Sequence, residues 1–579
     1  MDRDQVAAIL AEIGTLLELQ GETGFRTNAY HNGARAVQQL EGDLGEVIRQ
    51  GRLGDVPGIG ATLREKITTL VTTGSLPFYD KLKEEIPPGL VEMLRIPGLG
   101  PKKVRALHEL LEIDTLDGLR LACELGRVAK LKGFGAKTQA KILEGLKFVS
   151  EVGNRVRLDQ AMWVADGIVA GLRDAPGIIR MEVCGSIRRR KETCKDIDLL
   201  VSSDAPGPIM ETFVALPGVI TVTGQGPTKS SVVVQRVTAF GTRITLNADL
   251  RVVPDVHFPF AQHYFTGSKE HGIAMRLRAI KRDLKLNEYE LAGEGRSIAC
   301  ETEADLFRAL GLDYIPPELR EDTGEMDAAE RHTLPKLVEV GDIRGVFHNH
   351  TVYSDGANTI EEMARAAKAL GFEYFGLGDH SQSLTVANGL TPDRVRAQQV
   401  EVDAVRKKMK GFHIFKGTEC DILEDGSLDY DDELLSTFDY VVASVHSFFN
   451  QTREVMTARI VRAVRHPRVT MLGHATGRLL LKRDSYHVDL DAVLQAAAEC
   501  GTMIEINADP HRLDLDWVHC KRAKALGVML VINPDAHSTG GLANFRFGVD
   551  VARRGWLEKR HVFNTLGGDE VAEEFAKRK

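Results

Sequence analysis

Apolar and polar positions follow three different rhythms along this chain. From residue 341 onward, short apolar runs, RGVFHNH, YFGLGDH, IFKGTE, YVVASVH, VTMLGH and VMLVINPDAH, alternate with stretches of helical period such as TIEEMARAAKAL and LDAVLQAAAE. This is β/α alternation with chemistry-bearing residues at the carboxyl ends of the strands. In the first 150 residues a helical segment three times ends in a G-x-G turn that opens another helix: DVPGIGATLREKI at 55–67, RIPGLGPKKVRAL at 95–107 and KLKGFGAKTQAKIL at 130–143. Between these regions GIIRMEVCG, DIDLLV and RITLNADLRVV predict strands, with Gly185-Ser186 as a turn after the first.

The strand ends of the last region present His348, His350, Asp355, His380, Glu419, His446, His474, Asp535 and His537. One histidine there would more often be a packed core residue, but six with three carboxylates at equivalent positions are not explained that way. Side chains alternate along a strand, so His348 and His350 are expected to project the same way. Imidazole and carboxylate without cysteine suit zinc, manganese or iron alike, and nine ligands exceed the needs of one ion. A hydrolytic site of two or three metals is expected. The residues HNHTVYSDG, GLGDHS, GTECDI, ASVHSF, LGHATGR and NPDAHS resemble the motifs of the PHP (polymerase and histidinol phosphatase) family over about residues 341–579. That resemblance implies a distorted (β/α)7 barrel, a trinuclear metal centre and phosphoester hydrolysis, with all nine ligand positions filled.

The three N-terminal turns involve Gly58, Gly60, Gly98, Gly100, Gly133 and Gly135. Glycine allows a tight turn with positive φ, and the amides at the next helix start are open to an anion. Lys102, Lys103, Lys137 and Lys141 stand where a phosphate would sit. A single G-x-G is often only a helix connector, whereas three with nearby lysines favour DNA. The turns resemble helix-hairpin-helix motifs, which hold the DNA backbone without reading bases. No G-x-x-x-x-G-K-[ST] sequence occurs, which argues against an ATP-binding loop.

In the middle region Asp196 and Asp198 are two apart and share a strand face, and Asp249 comes from a further strand. Three carboxylates on adjacent strands can hold two divalent ions for in-line attack at a phosphate. Ser186, Arg188 and the amides of the Gly185 turn are placed to hold the phosphates of an incoming nucleotide. A D-x-D alone means little. Joined to G-S-x-R-R it resembles the nucleotidyltransferase signature of family X DNA polymerases, and the resemblance covers about residues 1–320. It implies two Mg2+ or Mn2+ ions in the palm. In YFTGSKEHGIAMR it implies that Tyr264 and Phe265 lie beside the sugar, with Gly267 in the nucleotide site and Arg276 near the template. Gly272 departs from the asparagine often found in the family, which puts base discrimination there in doubt. Lys66 matches the lysine that forms a Schiff base in lyase-active members; the alternative is that it only neutralises a phosphate. Tyr30 resembles a neighbouring family position, while Arg26 and Thr62 stand where lysines are frequent.

The expected organisation is a helical lyase-like domain over 1–90, tandem helix-hairpin-helix over 91–150, an α+β palm over 151–250, a nucleotide-closing lobe over 251–320, an acidic linker over 321–340 and the PHP barrel over 341–579. With 579 residues, 43% hydrophobic and 27% charged, the chain has the composition of a multidomain globular enzyme. The net charge of −8 is unlike that of a simple nucleic-acid-binding protein, but carboxylates gathered around metals explain part of it. Seven scattered cysteines without a C-x-x-C pair read as reduced thiols in the cytoplasm, and no stretch predicts membrane insertion. The expected function is gap filling in DNA repair by a monomer acting on gapped or nicked DNA with deoxynucleoside triphosphates, in a bacterial or archaeal cell near the nucleoid. The barrel would add 3′→5′ exonuclease, abasic-site endonuclease or 3′-end cleaning. Two rival classes remain: a DNA-end scaffold with vestigial sites, and a small-molecule phosphatase fused to a DNA-binding arm.

Overall fold

The computed structural model describes residues 3–578 except 23, 39–43, 57, 95, 97–98, 153–154, 239–240 and 294. The chain divides into two compact units, Met1–Arg155 with Gln235–Thr245, and Val156–Val234 with Leu246–Lys579.

In the first unit, helices Arg3–Leu19, Phe25–Gln38, Ala61–Thr73, Pro101–Leu111 and Gly135–Val152 bury Leu10, Ile13, Ile67, Leu70, Val104, Leu107 and Ile142 in one core. Gly58 and Gly133 adopt left-handed φ values of 89° and 90°. Gly60 and Gly100 are instead extended residues that cap the next helix. Pro101 occupies the first turn, where a missing N–H leaves no bond unmade. Gly98 lies outside the described residues.

A five-stranded sheet, all but the end of β4 and the start of β5 belonging to the second unit, consists of β1 (Arg180–Val183), β2 (Asp196–Ser202), β3 (Val219–Gln225), β4 (Lys229–Val237) and β5 (Arg243–Val253), in the order β1-β2-β5-β4-β3. β2 pairs antiparallel with β1 and parallel with β5. Helices Phe258–Thr266, Lys269–Ile280 and Glu303–Ala309 follow, packed around Phe260, Met275, Phe307 and Leu310. The acidic stretch expected to act as a linker joins this core. Helix Glu325–Glu330 is folded there, Ala329 and Leu337 are buried, and the fully buried Glu325 lies 2.9 Å from His271 Nδ1. The stretch is acidic with few large apolar residues and so reads as a linker, but Glu321 and Glu325 are held by buried partners.

The last region holds eight strands: β6 (Gly345–Asn349), β7 (Tyr374–Leu377), β8 (His413–Phe415), β9 (Gly417–Asp421), β10 (Tyr440–Ser444), β11 (Met471–Leu472), β12 (Met503–Asn507) and β13 (Leu530–Asn533). They form two parallel sheets, β6-β7-β8 and β9-β10-β11-β12-β13. Isolated parallel bridges His380↔Glu419 and Asn349↔Ala536 connect the two. Every residue of β6, β7, β9, β10, β12 and β13 is buried, which is why these strands read as continuous apolar runs. Between strands, helix Ile360–Ala369 starts at Thr359, whose hydroxyl accepts the Glu362 N–H while the Glu362 carboxylate accepts the Thr359 N–H. Such a reciprocal cap contributes about 1 kcal/mol.

Candidate active sites

In the sheet β1–β5, the parallel register sets Asp198 opposite Asp249 and Asp196 opposite Asn247. Burial, followed by the charges of Asp196 and Asp249, pushes the Asp198 carboxyl up to about 7 against the pull of Arg189 and Lys229. Lys229 Nζ lies 3.1 Å from Asp249 Oδ2. Gly185 has φ 62°, and a Cβ there would come within 2.1 Å of Asp198 Oδ2. Any side chain would therefore push the carboxylate out of place. Like charges crowded this closely favour a proton or a cation between them, and oxygen donors of this kind fit Mg2+ or Mn2+.

The turn after β1 separates two adjacent arginines. Arg188 donates to both carboxylate oxygens of Glu303, at 3.1 and 2.9 Å, and to Thr266 Oγ1 at 2.7 Å. Arg189 is engaged as well, its Nε donating to Glu321 Oε1 at 3.2 Å and its Nη1 to the Thr266 carbonyl. Its charge also lowers Asp198, and its Nη1 is 3.0 Å from where a Cβ on Gly267 would stand. Ser186 Oγ is buried with no hydrogen-bond partner among the described residues. Tyr264 is 49% exposed and packs edge-on against Phe265, ring centroids 5.1 Å apart. Tyr264, Gly267, Gly272 and Arg276 line one cavity of about 260 Å3 with Phe260 and His263.

All nine strand-end residues of the last region converge. His350, Asp355, His380 and His537 form one group, His348, His350 and Asp535 a second, and His380, Glu419 and His446 a third, each with donor atoms within 4.8 Å of one another. His474 Nε2 joins them 2.9 Å from Glu419 Oε1. His348, His474 and Asp535 have φ values of 54°, 22° and 51°. Left-handed backbone at non-glycine residues is strained and persists only where the surroundings enforce it. The kink at His348 shifts the strand register between Val346 and Asn349. His348 and His350 therefore meet, ring centroids 5.3 Å apart, by a bend and not by the regular alternation expected.

Electrostatics suit cations. Burial, with His537 and His380 nearby, lowers His350 to about 3, so its imidazole stays neutral. Burial would raise Glu419 and Asp535, yet His348 and its neighbours hold both well below the usual carboxylate range. His350 Nδ1 and His474 Nδ1 are buried without a hydrogen-bond partner among the described residues. A neutral imidazole at His350, ionised Glu419 and Asp535 and orphaned ring nitrogens at this spacing fit zinc, manganese or iron, while against their burial the neighbouring carboxylates raise His348, His380, His446 and His537.

Sequence reading missed the carboxylates behind these ligands. Glu505 is fully buried and accepts from His348 Nδ1 at 2.5 Å, His474 N at 2.7 Å, Asn533 Nδ2 at 2.8 Å and Asn507 Nδ2 at 3.2 Å. Asn507 Nδ2 also reaches Asp535 Oδ2 at 3.0 Å. Asp421 Oδ1 lies 2.5 Å from His446 Nδ1. A signal existed: Glu505 is a lone charge inside the buried run MIEIN.

In the first unit, Lys102, Lys137 and Lys141 are exposed and Lys103 is partly buried at the starts of the helices that follow the glycine turns. Lys66 is half-buried, its Nζ 3.6 Å from the Phe78 ring centroid, and Phe78 stacks on the buried Tyr30. Burial, then the Arg26 charge, lowers the Lys66 pKa.

The sequence matches the family models described as Helix-hairpin-helix domain over residues 1–76, SAM-like Helix-hairpin-helix tandem over 90–147, DNA polymerase beta thumb over 261–321 and PHP domain over 347–509. It is 37% identical over 580 residues, 100% of each chain, to the protein named DNA polymerase/3'-5' exonuclease PolX of Bacillus subtilis (strain 168). Over 229 residues, 38% of this chain and 89% of the relative, it is 29% identical to a protein of Thermoanaerobacter sp. (strain X514) named a probable phosphatase. Over 313 residues, 50% of this chain and 52% of the relative, it is 24% identical to DNA polymerase lambda of Rattus norvegicus. Because the first similarity runs from end to end and thumb and PHP models match in succession, the chain belongs to the family X DNA polymerases with a C-terminal PHP domain.

Proposed function

We propose that this chain is a DNA-directed DNA polymerase that fills short gaps in DNA repair and carries a metal-dependent 3′→5′ exonuclease in its PHP domain. The observation that carries the reading is the parallel register of β2 and β5, which gathers Asp196, Asp198 and Asp249 beside the Gly185-Ser186 turn. Two Mg2+ or Mn2+ ions, when bound there, neutralise the carboxylates and supply electrophilic assistance to phosphoryl transfer. Asp196 and Asp198 bind from one strand face, and Asp249 serves the primer 3′-hydroxyl. Ser186 Oγ, the Gly185 turn and the Arg188 guanidinium, which also ties the turn to Glu303, hold the triphosphate, with Arg189 of the same turn beside them. Tyr264 and Phe265 flank the sugar, and Gly267, Gly272 and Arg276 line the space around the nascent pair.

In the PHP domain the nine convergent residues hold two or three zinc, manganese or iron ions. Those ions, when bound, supply an activated water and a Lewis acid for phosphoester hydrolysis. The chain's part is to keep His350 neutral and Glu419 and Asp535 ionised. The likeness to relatives named probable phosphatases favours removal of terminal phosphates at a DNA 3′ end as a second reading of the same centre. Lys66 is the proposed lyase nucleophile, supported by its lowered pKa and its place beside Tyr30 and Phe78. Gly58, Gly60, Gly98, Gly100, Gly133 and Gly135 with Lys102, Lys103 and Lys137 take the DNA backbone. Domain bounds of 1–90, 91–150, 151–250, 251–320 and 341–579 serve this reading, with the chain acting as a monomer on nucleoid DNA in the cytoplasm.

One assay tests it: a gapped duplex with a 5′-labelled primer, incubated with and without deoxynucleotides in magnesium and then in manganese. Primer extension with nucleotides and shortening without them are expected. Absence of extension in both metals would overturn the polymerase reading.

A further inference from the structure

The turn that carries Ser186, Arg188 and Arg189 is held by the hydrolytic domain. Helix Phe545–Arg554 packs Phe545, Val549 and Ala552 into the core of the PHP strands. Its Asp550, Arg553 and Arg554 pair with the polymerase half. Arg554 is only 1% exposed. Its Nη1 donates to the backbone carbonyl of Arg189 at 2.6 Å and to Glu321 Oε1 at 3.1 Å. The same Glu321 oxygen accepts from Arg189 Nε at 3.2 Å. Arg189 Nη1 also donates to the carbonyl of Thr266, and the Arg554 guanidinium lies 5.0 Å over the Trp517 ring. Arg553 makes a different bridge across the same boundary, to Glu318 Oε1 at 2.8 Å and to the Val338 carbonyl at 3.1 Å.

Burying a guanidinium is costly unless it is paired, and Arg554 spends its Nη1 on the polymerase half, on Arg189 and Glu321, while its Nε and Nη2 are buried without a hydrogen-bond partner among the described residues. That one nitrogen fixes two things together: the backbone of Arg189 through its carbonyl, and its side chain through the shared Glu321 carboxylate. A flexible arginine aimed in advance loses less freedom when a phosphate arrives.

We infer that Arg554, although it belongs to the hydrolytic domain, is a positioning residue of the polymerase site, setting Arg189 for the nucleotide triphosphate directly and through Glu321. The inference rests on the proposed assignment of the triphosphate to Ser186, the Gly185 turn and Arg188, with Arg189 beside them. It makes the PHP domain a structural part of nucleotide binding as well as a nuclease.

The test uses the full chain with Arg554→Met, Arg554→Lys, Glu321→Gln and the boundary control Arg553→Met, each checked by thermal melting. On a one-nucleotide gap, Arg554→Met raises KM for the deoxynucleotide about tenfold while kcat and 3′→5′ hydrolysis stay within about twofold. Arg554→Lys keeps one donor and recovers part of the loss. Arg553→Met melts earlier but keeps the wild-type KM. An unchanged KM in folded Arg554→Met overturns the inference, as does an equal rise in Arg553→Met, which would mean any loosening of the boundary suffices. If Arg554→Met does not fold, Glu321→Gln decides: it preserves shape, and a wild-type KM in it overturns the inference. Loss of extension in Asp196→Ala/Asp198→Ala keeps the palm assignment in place however Arg554 behaves, so the two failures are distinct.

Discussion

His348 Nδ1 lies 2.5 Å from Glu505 Oε1, and both side chains are completely buried. With Nδ1 turned to Glu505, the ring presents Nε2 toward Glu419 and Asp535, at 3.2 and 3.7 Å. A carboxylate behind a histidine fixes its orientation and raises its basicity as a ligand. Glu505 also receives a backbone N–H from His474 and, through Asn507, reaches Asp535.

Glu505→Gln should therefore weaken the hydrolytic centre without touching the palm. All four groups around Glu505 are donors, so an amide NH2 in its place would face donors. A loss of about 10–100-fold in metal affinity or hydrolysis is expected, as for other residues that orient metal ligands. Metal content by elemental analysis, with the melting shift on adding manganese, checks it; wild-type values for both would refute the role of Glu505.

Removing both carboxylates of β2, in Asp196→Ala/Asp198→Ala, should abolish nucleotide addition and leave 3′→5′ hydrolysis intact. The two clusters draw on separate strands and share no residue. Primer extension by the double variant would show that the palm assignment is wrong.

Conversely, His348→Ala or Asp535→Ala should suppress hydrolysis by at least about 10–100-fold while extension survives. A fall in metal content and in melting temperature should accompany it, since bound metal stabilises the folded state. Undiminished hydrolysis in both variants would place the nuclease elsewhere.

Lys66 gives a prediction in pH. Attack on an aldehyde needs the neutral amine, and burial with the Arg26 charge lowers the Lys66 pKa. Borohydride trapping on a 5′-incised abasic substrate should therefore rise with pH and level off below the ordinary lysine range. Arg26→Ala removes a positive neighbour, so it should raise the Lys66 pKa and move that rise to higher pH. Lys66→Ala should not trap at any pH. Equal trapping by Lys66→Ala would assign the amine to another residue.

Much of both sites was legible because period and position coincide. Most of the nine PHP residues end a strand or stand just past it, with Glu419 in the middle of β9 and Asp355 six residues beyond β6, and Asp196 and Asp198 are separated by one strand period. Glu505 escaped notice because a charge in a buried run has meaning only once its four donors are seen around it. The acids at 321–330 suggested a solvated connector, since nothing local reveals that Glu325 meets His271 or that Glu321 is shared by two arginines.

Sequence alone determined which elements form, which residues lie at strand ends, and that two carboxylate-rich clusters exist, because these depend on local periodicity and residue chemistry. Tertiary structure decided the rest. Arg188 and Arg189 are neighbours of identical chemistry, yet one pairs with Glu303 and the other with Glu321. The bend at His348, and the reach of Arg554 across 365 positions to the Arg189 carbonyl, are equally invisible in the chain order. Such choices arise from burial and pairing between distant segments, where desolvation favours whatever polar partner folding brings within reach.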